Sequence, residues 1–336
     1  MYKRQLQDPI KQKKEYLRLF EVFKAHNIEY FFYNGGGDSQ DTTFEISKMA
    51  KELKLPLTCI GIPKTVDNDL PITDCSPGFG SVAKYVATST LEAGLDVKSM
   101  SETSTKVFIL EVMGRHAGWI AAASALASTN ETDPPHIILM PEVPFAKKKF
   151  IDKVKQTVAN EGFCVVVASE GTRYKNGMFL ADSGLTDAFG HKQLGGVAPV
   201  LAQMVSSIGL KNHWAVSDYL QRSARHISSK TDLDQAYAVG KKAVEFALAG
   251  KNAVMPVIKR LSNKPYKWKI ESAPLSKVAN VEKTLPKGYI SKDGFRVTSK
   301  GLDYLRPLIQ GETPISYKDG IPVVAQLKNI LVKKIT

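Results

Sequence analysis

One polar segment, Gly61-Ile62-Pro63-Lys64-Thr65-Val66-Asp67-Asn68-Asp69, follows directly on the short apolar run Leu57–Ile60. The apolar run predicts a buried strand, and Gly61 and Pro63 are expected to end it. Two carboxylates and an amide then stand in consecutive positions, shortly after a lysine. Taken alone, such a cluster is typical of a solvated turn, because Pro, Asn and Asp favour turns for backbone reasons.

The position of this cluster favours a ligand site over a plain turn. Open α/β sheets bind their ligands at the carboxyl ends of parallel strands, which is where this segment is expected to lie. Asp67 and Asp69 stand two residues apart, and such a pair can divide its work. One carboxylate takes a proton while the other holds a metal ion.

Short apolar runs alternate with helical patterns along most of the chain. The predicted strands are residues 30–33 and 57–60, both expected to be buried, and residues 106–113, 136–140, 163–169, 214–216 and 253–259. Helical periodicity separates them, for example over residues 11–26 and 150–160, and Asp232 is expected to cap a later helix. This alternation predicts an α/β fold with mainly parallel sheets covered by helices on both faces.

The chain of 336 residues is long enough for two domains with a sizeable core. Hydrophobic residues make up 43% and charged residues 24%, which is ordinary for a globular protein. No apolar run reaches the roughly 18 residues of a membrane span. The first thirty residues are polar and basic without an apolar core, so we expect no secretory leader. We therefore expect a cytoplasmic protein without a membrane partner.

The formal net charge is +13, but the lysines are scattered and no basic stripe is interleaved with aromatic residues. The sequence therefore predicts no nucleic-acid partner, and an anionic small substrate explains the charge equally well. Cys59, Cys75 and Cys164 lack C-x-x-C spacing, so we expect buried free thiols in a reducing cytosol. The histidines lack zinc-ligand spacing.

Two further strand ends carry chemistry of interest. Residues 34–39, Asn-Gly-Gly-Gly-Asp-Ser, form a glycine-rich turn before a helix expected from Asp41. Such a turn lets backbone N–H groups approach a phosphate at the positive end of a helix, although a tight turn alone can explain the glycines. Asp38 is unusual in a bare phosphate cradle and indicates a metal or selectivity role. Arg115 is either a surface arginine or a planar clamp for a phosphate.

Taken together, six motifs resemble the phosphofructokinase family in their order along the chain, roughly from Gln7 to Thr336. They are Gly35-Gly36-x-Asp38-Ser39, Gly61–Asp69, Pro77-Gly78-Phe79-Gly80, Glu111–Arg115, Glu170-Gly171-Thr172 and Tyr219–Arg222. The resemblance implies two Rossmann-like α/β/α domains. Residues 6–78 with about 221–275 would bind the phosphoryl donor, and about 79–220 with 276–336 the sugar phosphate.

The resemblance also implies roles for single residues in phosphoryl transfer to fructose 6-phosphate. Asp67 would be the base that takes the proton of the 1-hydroxyl group, assisted by Lys64, Asp38 and Arg115, with Arg115 near the transferring phosphoryl group. The sugar phosphate would be bound by Thr65, Asp67, Met113, Gly114, Arg115, Glu170, Tyr219 and Arg222. The donor phosphates would contact Gly35, Gly36, Ser39 and Lys64. The cofactor Mg²⁺ would be held by Asp38 and Asp69. An arginine from a neighbouring subunit would complete the site, which implies a homo-oligomer, either a dimer or a tetramer.

At Asp38 and Lys64 the chain resembles the pyrophosphate-using branch of the family, whereas ATP-using members usually have glycine at both positions. A carboxylate about 4 Å from the α-phosphate of ATP repels it by up to ~4 kcal/mol at an effective dielectric constant of ~20. Even half of that disfavours ATP more than ~10-fold. An ATP-dependent enzyme and a non-catalytic sugar-phosphate-binding regulatory subunit remain the alternatives.

The chain departs from the family pattern in two places. Gly37 stands where the family has Asp or Asn, which favours the regulatory alternative or weaker metal binding. The family also begins with a strand and a Gly-Gly loop that this sequence lacks. Met1–Gln5 resembles translated sequencing-adapter DNA, so we expect a non-native scar at residues 1–5 and a first sheet without its N-terminal strand.

Overall fold

The computed structural model describes residues 11–186, 192–194 and 196–333, and two four-stranded sheets dominate them. The described helices are α1 (Lys13–Ala25), α2 (Gly37–Glu52), α3 (Phe79–Met100), α4 (Trp119–Ala123), α5 (Lys147–Glu161), α6 (Val197–Ser206), α7 (Leu220–Ser223), α8 (Lys230–Leu248) and α9 (Ser299–Leu305). The described strands are β1 (Tyr30–Gly35), β2 (Thr58–Pro63), β3 (Val107–Val112), β4 (Ile137–Leu139), β5 (Cys164–Ser169), β6 (Asp182–Thr186), β7 (Lys192–Leu194), β8 (Asn212–Val216), β9 (Val254–Asn263), β10 (Tyr266–Pro274), β11 (Tyr317–Lys318) and β12 (Ile321–Pro322).

The first sheet has the strand order β1-β2-β9-β10 and the second the order β4-β5-β3-β8. All pairs in the second sheet are parallel. In the first sheet only the hairpin of β9 and β10 is antiparallel. Parallel strands present their carboxyl ends at one edge, so the polar segments that follow them gather there. The predicted α/β fold with mainly parallel sheets is confirmed. The predicted domain boundaries stay a prediction.

Helices cover both faces of each sheet, because neighbouring residues of a strand point to opposite faces. In β2, Cys59 packs with residues of α1 and α2, whereas Ile60 packs with Ala243 and Ala247 of α8. In β3, Ile109 joins the cluster of α5 and α6, whereas Leu110 joins the cluster of α3 and α4. The alternating pattern along each strand therefore produces the layers.

The burial of β1 and the end of β2 differ from the predictions made from the sequence. The strand at residues 30–33 was expected to be buried, but Tyr30 is 45% exposed and Phe31–Tyr33 are half-buried. The described residues pair β1 with β2 alone, so β1 lies at the edge of the described sheet. β2 continues past Gly61 and ends at Pro63, so the expected strand end is wrong for Gly61 and confirmed for Pro63.

Cys59, Cys75 and Cys164 are buried free thiols, as predicted. Burial raises the pKa of the Cys59 and Cys164 thiols to about 12, so they stay protonated and unreactive. None of the described helices is both long and apolar enough to span a membrane.

Candidate active site

The loop after β2 is folded on itself by the hydroxyl group of Thr65. The Thr65 Oγ1 accepts the N–H of Asp67 at 3.1 Å and lies 3.4 Å from the Asp67 carboxylate. Asn68 adopts a positive φ of 55°, which asparagine tolerates better than most residues. This turn separates Asp67 from Asp69 and anchors the amide of Asn68 in the core, where it is fully buried.

Asp67 lies among charges from three other positions. Burial raises the pKa of the Asp67 carboxyl most strongly, and the nearby Glu170 raises it further. The hydrogen bond from Thr65 and the cations Arg115 and Lys64 act in the opposite direction on this pKa. The structure therefore brings together four of the predicted site residues from three separate loops. A carboxylate with a raised pKa takes up a proton more readily than an ordinary aspartate.

The loop after β3 contacts the end of β5 where Gly114 and Gly171 let the two backbones approach closely. The N–H of Gly114 donates to Glu170 Oε1 at 3.3 Å, and Ser169 Oγ donates to the Gly114 carbonyl. Gly114 has φ 129°, a conformation that favours glycine, and a Cβ on Gly171 would collide with the carbonyl of Arg115. Only glycines allow the two segments to approach this closely. The approach fixes Arg115 beside Glu170.

The end of β8 brings an aromatic ring and a guanidinium group to the same edge. Arg222 lies 3.8 Å from the ring centroid of Tyr219, a cation–π contact. Tyr219 is 61% exposed, so the pair is open to a ligand. Burial raises the pKa of Glu170 most strongly, and the charge of Asp218 contributes to the rise because the end of β8 lies near that of β5. Met113 packs partly buried against the core below this edge.

The glycine-rich turn lies beside the Lys64 loop in the first sheet. The N–H of Lys64 donates to the Gly35 carbonyl at 3.1 Å, and the Gln40 side chain donates to the carbonyls of Gly35 and Ile62. A Cβ on Gly36 would lie 3.6 Å from the Lys64 carbonyl oxygen. The turn predicted for phosphate and the loop of Lys64 therefore form one continuous backbone surface.

The helix after this turn begins earlier than predicted. α2 begins at Gly37 rather than near Asp41, which places Asp38 and Ser39 in its first turn. An acidic residue in the first turn stabilises a helix through the dipole, so Asp38 has a structural role, and its metal or selectivity role stays a prediction. The same dipole attracts anions to this helix end.

The carboxylate of Asp69 is partly buried and incompletely hydrogen-bonded. Its Oδ1 is buried and has no hydrogen-bond partner among the described residues. Burial, and next the charge of Asp67, raise the pKa of Asp69 to about 7. A hard cation such as Mg²⁺ prefers carboxylate oxygens and keeps most of its shell for water and substrate phosphates. The described residues contain no group of three or more His, Cys, Asp or Glu side chains that could hold a metal ion. The predicted pairing of Asp38 with Asp69 around one ion stays a prediction.

Replacing Asp69 with asparagine is expected to stabilise the metal-free protein at pH 8. The pKa of Asp69 is higher in the folded than in the unfolded protein. Its contribution to the free energy of unfolding is therefore complete below the unfolded pKa, near ~4, and is lost as the pH rises through the folded pKa of about 7. Asparagine keeps the shape without this loss. Calorimetry with a chelator should show a Tm higher by roughly 2–4 °C at pH 8 for each kcal/mol regained, and little gain at pH 4.

The control for this prediction is Asp133→Asn. Hydrogen bonds from Thr129 lower the pKa of Asp133, so this variant should show no gain at high pH. A stability change in Asp69→Asn that is the same at both pH values would contradict a buried Asp69 carboxyl with a raised pKa.

Sequence reasoning missed the residues that support these loops from behind. Lys283 donates to Asn68, Thr73 and Asp74, and Tyr304 contacts Asn68. Both stand in the C-terminal stretch where the sequence has no strong periodicity or motif. An isolated lysine and tyrosine carried no signal there.

Comparison with known proteins places these features in one family. A family model described as Phosphofructokinase matches residues 3–247. The chain is 61% identical over 323 residues to the pyrophosphate–fructose 6-phosphate 1-phosphotransferase of Halomonas elongata, covering 96% of this chain and 77% of that protein.

Solved structures agree in fold. The pyrophosphate-dependent phosphofructokinase of Marinobacter aquaeolei is 61% identical with a TM-score of 0.88, and the match covers 96% of this chain and 78% of that one. The enzyme of the same description from Nitrosospira multiformis is 57% identical with a TM-score of 0.89 over the same shares. The ordered motifs, the two mainly parallel sheets and the loops gathered at their ends thus have one common explanation: the chain belongs to the phosphofructokinase family.

Proposed function

We propose that this protein transfers a phosphoryl group from pyrophosphate to the 1-hydroxyl group of fructose 6-phosphate. The products are fructose 1,6-bisphosphate and phosphate, and the reaction is reversible. The observation that carries the proposal is the half-buried Asp67, whose pKa is raised by burial and by Glu170 while Lys64 and Arg115 stand nearby. The names of the relatives support the same reaction.

Asp67 accepts the proton of the sugar 1-hydroxyl group. At the same time the hydroxyl oxygen forms a bond to the terminal phosphorus of pyrophosphate. The bond between that phosphorus and the bridging oxygen breaks, and phosphate leaves. Phosphoryl transfer depends mainly on positioning and on neutralising charge. Lys64 and Arg115 supply fixed positive charge beside the base, and Thr65 holds the base in its loop.

Fructose 6-phosphate binds at the ends of β3, β5 and β8. Arg115 and Arg222 offer planar guanidinium groups that suit phosphate oxygens. Glu170 and the backbone of Gly114 offer hydrogen bonds to sugar hydroxyl groups, and Tyr219 and Met113 offer surface for the carbon skeleton. These three loops are adjacent because their strands are neighbours in the second sheet.

Pyrophosphate binds between the two sheets' polar loops. Gly35, Gly36 and Ser39 line the start of α2, where the helix dipole favours anions. Lys64 binds the compact charge of pyrophosphate, and Asp38 repels the additional phosphate of a nucleotide. Asp69 and Asp38 would hold Mg²⁺, which would neutralise charge on the phosphates. The free thiols agree with a cytoplasmic setting for this reaction.

The test is a sugar-bisphosphate formation assay with the purified chain, fructose 6-phosphate and Mg²⁺, with pyrophosphate or ATP as donor in parallel. Product formation with pyrophosphate alone is the expected result. Formation with ATP alone would overturn the choice of donor. A folded chain that binds fructose 6-phosphate but turns over neither donor would favour the regulatory alternative that Gly37 supports.

The protein is expected to act as a homo-oligomer, as the family resemblance implies through a subunit-bridging arginine. Trp214 on the outer strand β8 is 48% exposed and lines an open groove of about 810 Å³ with Pro199 and Gln203. This surface suits contact with a second copy. Light scattering should give a mass of two or four times 36.9 kDa, and a fully active monomer would contradict it.

A further inference from the structure

A short segment of the chain, residues 282–285, contacts both loops of the candidate active site, and we name it the bridging segment. It leads from the end of the β9–β10 hairpin towards α9. On one side lies the loop after β2, which carries Asp67 and Asp69. On the other lies the loop after β3, which carries Arg115. No motif of the sequence marks this segment.

Lys283 makes the contacts to the first loop. Its backbone N–H donates to the carbonyl of Asp69 at 2.6 Å. Its ammonium group donates to Asn68 Oδ1 at 3.3 Å and to the carbonyls of Thr73 and Asp74 at 3.0 Å each. An ammonium group has three donors, and all three are used on this one loop.

Asn68 transmits these contacts to the two carboxylates, because it stands between them in the chain. Its Oδ1 also accepts the N–H of Ser76 at 2.9 Å, and its amide donates to the Tyr304 hydroxyl at 3.0 Å. The Tyr304 hydroxyl donates in turn to the Asp74 carbonyl at 2.6 Å. Lys283 and Tyr304 therefore hold the same loop through shared partners.

The bridging segment contacts the second loop with its backbone and with Glu282. The carbonyl of Lys283 accepts the indole N–H of Trp119 at 2.9 Å, directly after that loop. Glu282 pairs with His116 at 2.8 Å. Leu285 donates to Glu142 Oε1 at 2.8 Å, and the same oxygen accepts the N–H of Gly118 at 2.9 Å.

We propose that Lys283 is a positioning residue for phosphoryl transfer, which keeps the loop of Asp67 and Asp69 in register with the loop of Arg115. The proposal rests on the function proposed above. Lys283 joins the two loops within one residue, by its ammonium and N–H groups on one side and its carbonyl on the other. Misplacing reacting groups by about 1 Å can cost ~100-fold in rate, whereas the substrates keep their own binding contacts.

The experiment measures kcat and KM for both substrates in Lys283→Met, which keeps length and packing but removes all three donors. The expected result is a fall in kcat of about 100-fold, with both KM values within about 3-fold of the parent because binding groups are retained. Lys283→Gln keeps an amide donor and should retain more of kcat than Lys283→Met.

The matched control is Lys106→Met. Lys106 is also partly buried and also donates to a backbone carbonyl, that of Ser101, before β3. Its loss should lower the melting temperature without changing kcat. Tyr304→Phe probes the loop from its other support and should lower kcat with the same constancy of KM. Because both residues act through one loop, the double variant with Lys283→Met should lose less than the product of the two single effects.

The outcomes separate the two proposals. A parent chain without activity on pyrophosphate would overturn the proposed function itself. An active parent with an unchanged kcat in Lys283→Met, or with a raised KM and an unchanged kcat, would overturn the positioning role alone. Single effects that multiply in the double variant would also overturn it. If Lys283→Met does not fold, Lys283→Gln decides by the same division between kcat and KM.

Discussion

Replacing Asp67 with asparagine is expected to lower kcat by about 100- to 10,000-fold, the usual contribution of a general base. Asparagine has the same shape but cannot accept the proton of the 1-hydroxyl group. Thr65 can still donate to the side-chain oxygen, so the loop should keep its conformation. The neighbouring Glu170 no longer faces a second negative charge, so binding of fructose 6-phosphate should be retained or slightly tighter.

The measurement combines a coupled assay for kcat with calorimetric titration of fructose 6-phosphate. Asp133→Asn is the control, because Asp133 lies in an exposed turn where it accepts hydrogen bonds from Thr129 and Asn130. It should leave both quantities unchanged. An Asp67→Asn variant with unaltered turnover would remove Asp67 as the base. One with no sugar-phosphate binding would assign it to substrate binding instead.

The second large effect is expected in the choice of phosphoryl donor. The double variant Asp38→Gly, Lys64→Gly should use pyrophosphate about 10- to 100-fold less well, because a charged hydrogen bond contributes roughly 1.5–3 kcal/mol. It should use ATP more than about 10-fold better, because half of a ~4 kcal/mol repulsion is removed. The ratio of kcat/KM for the two donors should therefore change by at least about 100-fold.

The control double variant is Asp319→Gly, Lys54→Gly. It likewise removes one aspartate and one lysine side chain, here at exposed positions. Both residues have a positive φ, which glycine tolerates. The ratio of donors should not change in this control. A loss of pyrophosphate use without any gain for ATP would mean that other residues of the loops select the donor. Equal changes for both donors would contradict a role of Asp38 in selectivity.

The sequence predicted the sheets and the polar strand ends because both follow from local patterns. Apolar runs of strand length alternate with helical periodicity, so the α/β class could be predicted before any tertiary contact was known. The residues near Asp67 could be predicted only through the order of the family motifs, since Lys64, Arg115 and Glu170 come from separate loops. Their proximity is a consequence of strand order in two sheets, which local patterns do not encode.

The errors have tertiary causes. Asp232 was expected to cap its own helix, but Ser229 does so, and the Asp232 carboxylate instead accepts the N–H groups of Gly78 and Ser81 at the start of α3. A contact between residues about 150 positions apart leaves no trace in local sequence. The strand β10 escaped prediction because its alternation of lysines with Trp268 and Ile270 lies in a turn-rich stretch.

The residues that support the site, Lys283 and Tyr304, could not be predicted from the sequence for a related reason. Lys283 and Tyr304 have no periodicity or motif of their own, and their importance comes from the backbone carbonyls that they contact. A lysine at such a position is predicted by sequence rules to be a solvated surface residue. Only the fold brings it against the loop of Asp67 and Asp69.

The most direct measurement of the central claim is ³¹P NMR of pyrophosphate mixed with fructose 6-phosphate, Mg²⁺ and the purified chain, beside the Asp67→Asn variant. We expect that the pyrophosphate signal is replaced by equal amounts of phosphate and a new sugar 1-phosphate ester, and that the variant stays at background. Pyrophosphate split into two phosphates without the ester, or an ester formed only when ATP replaces pyrophosphate, would contradict it.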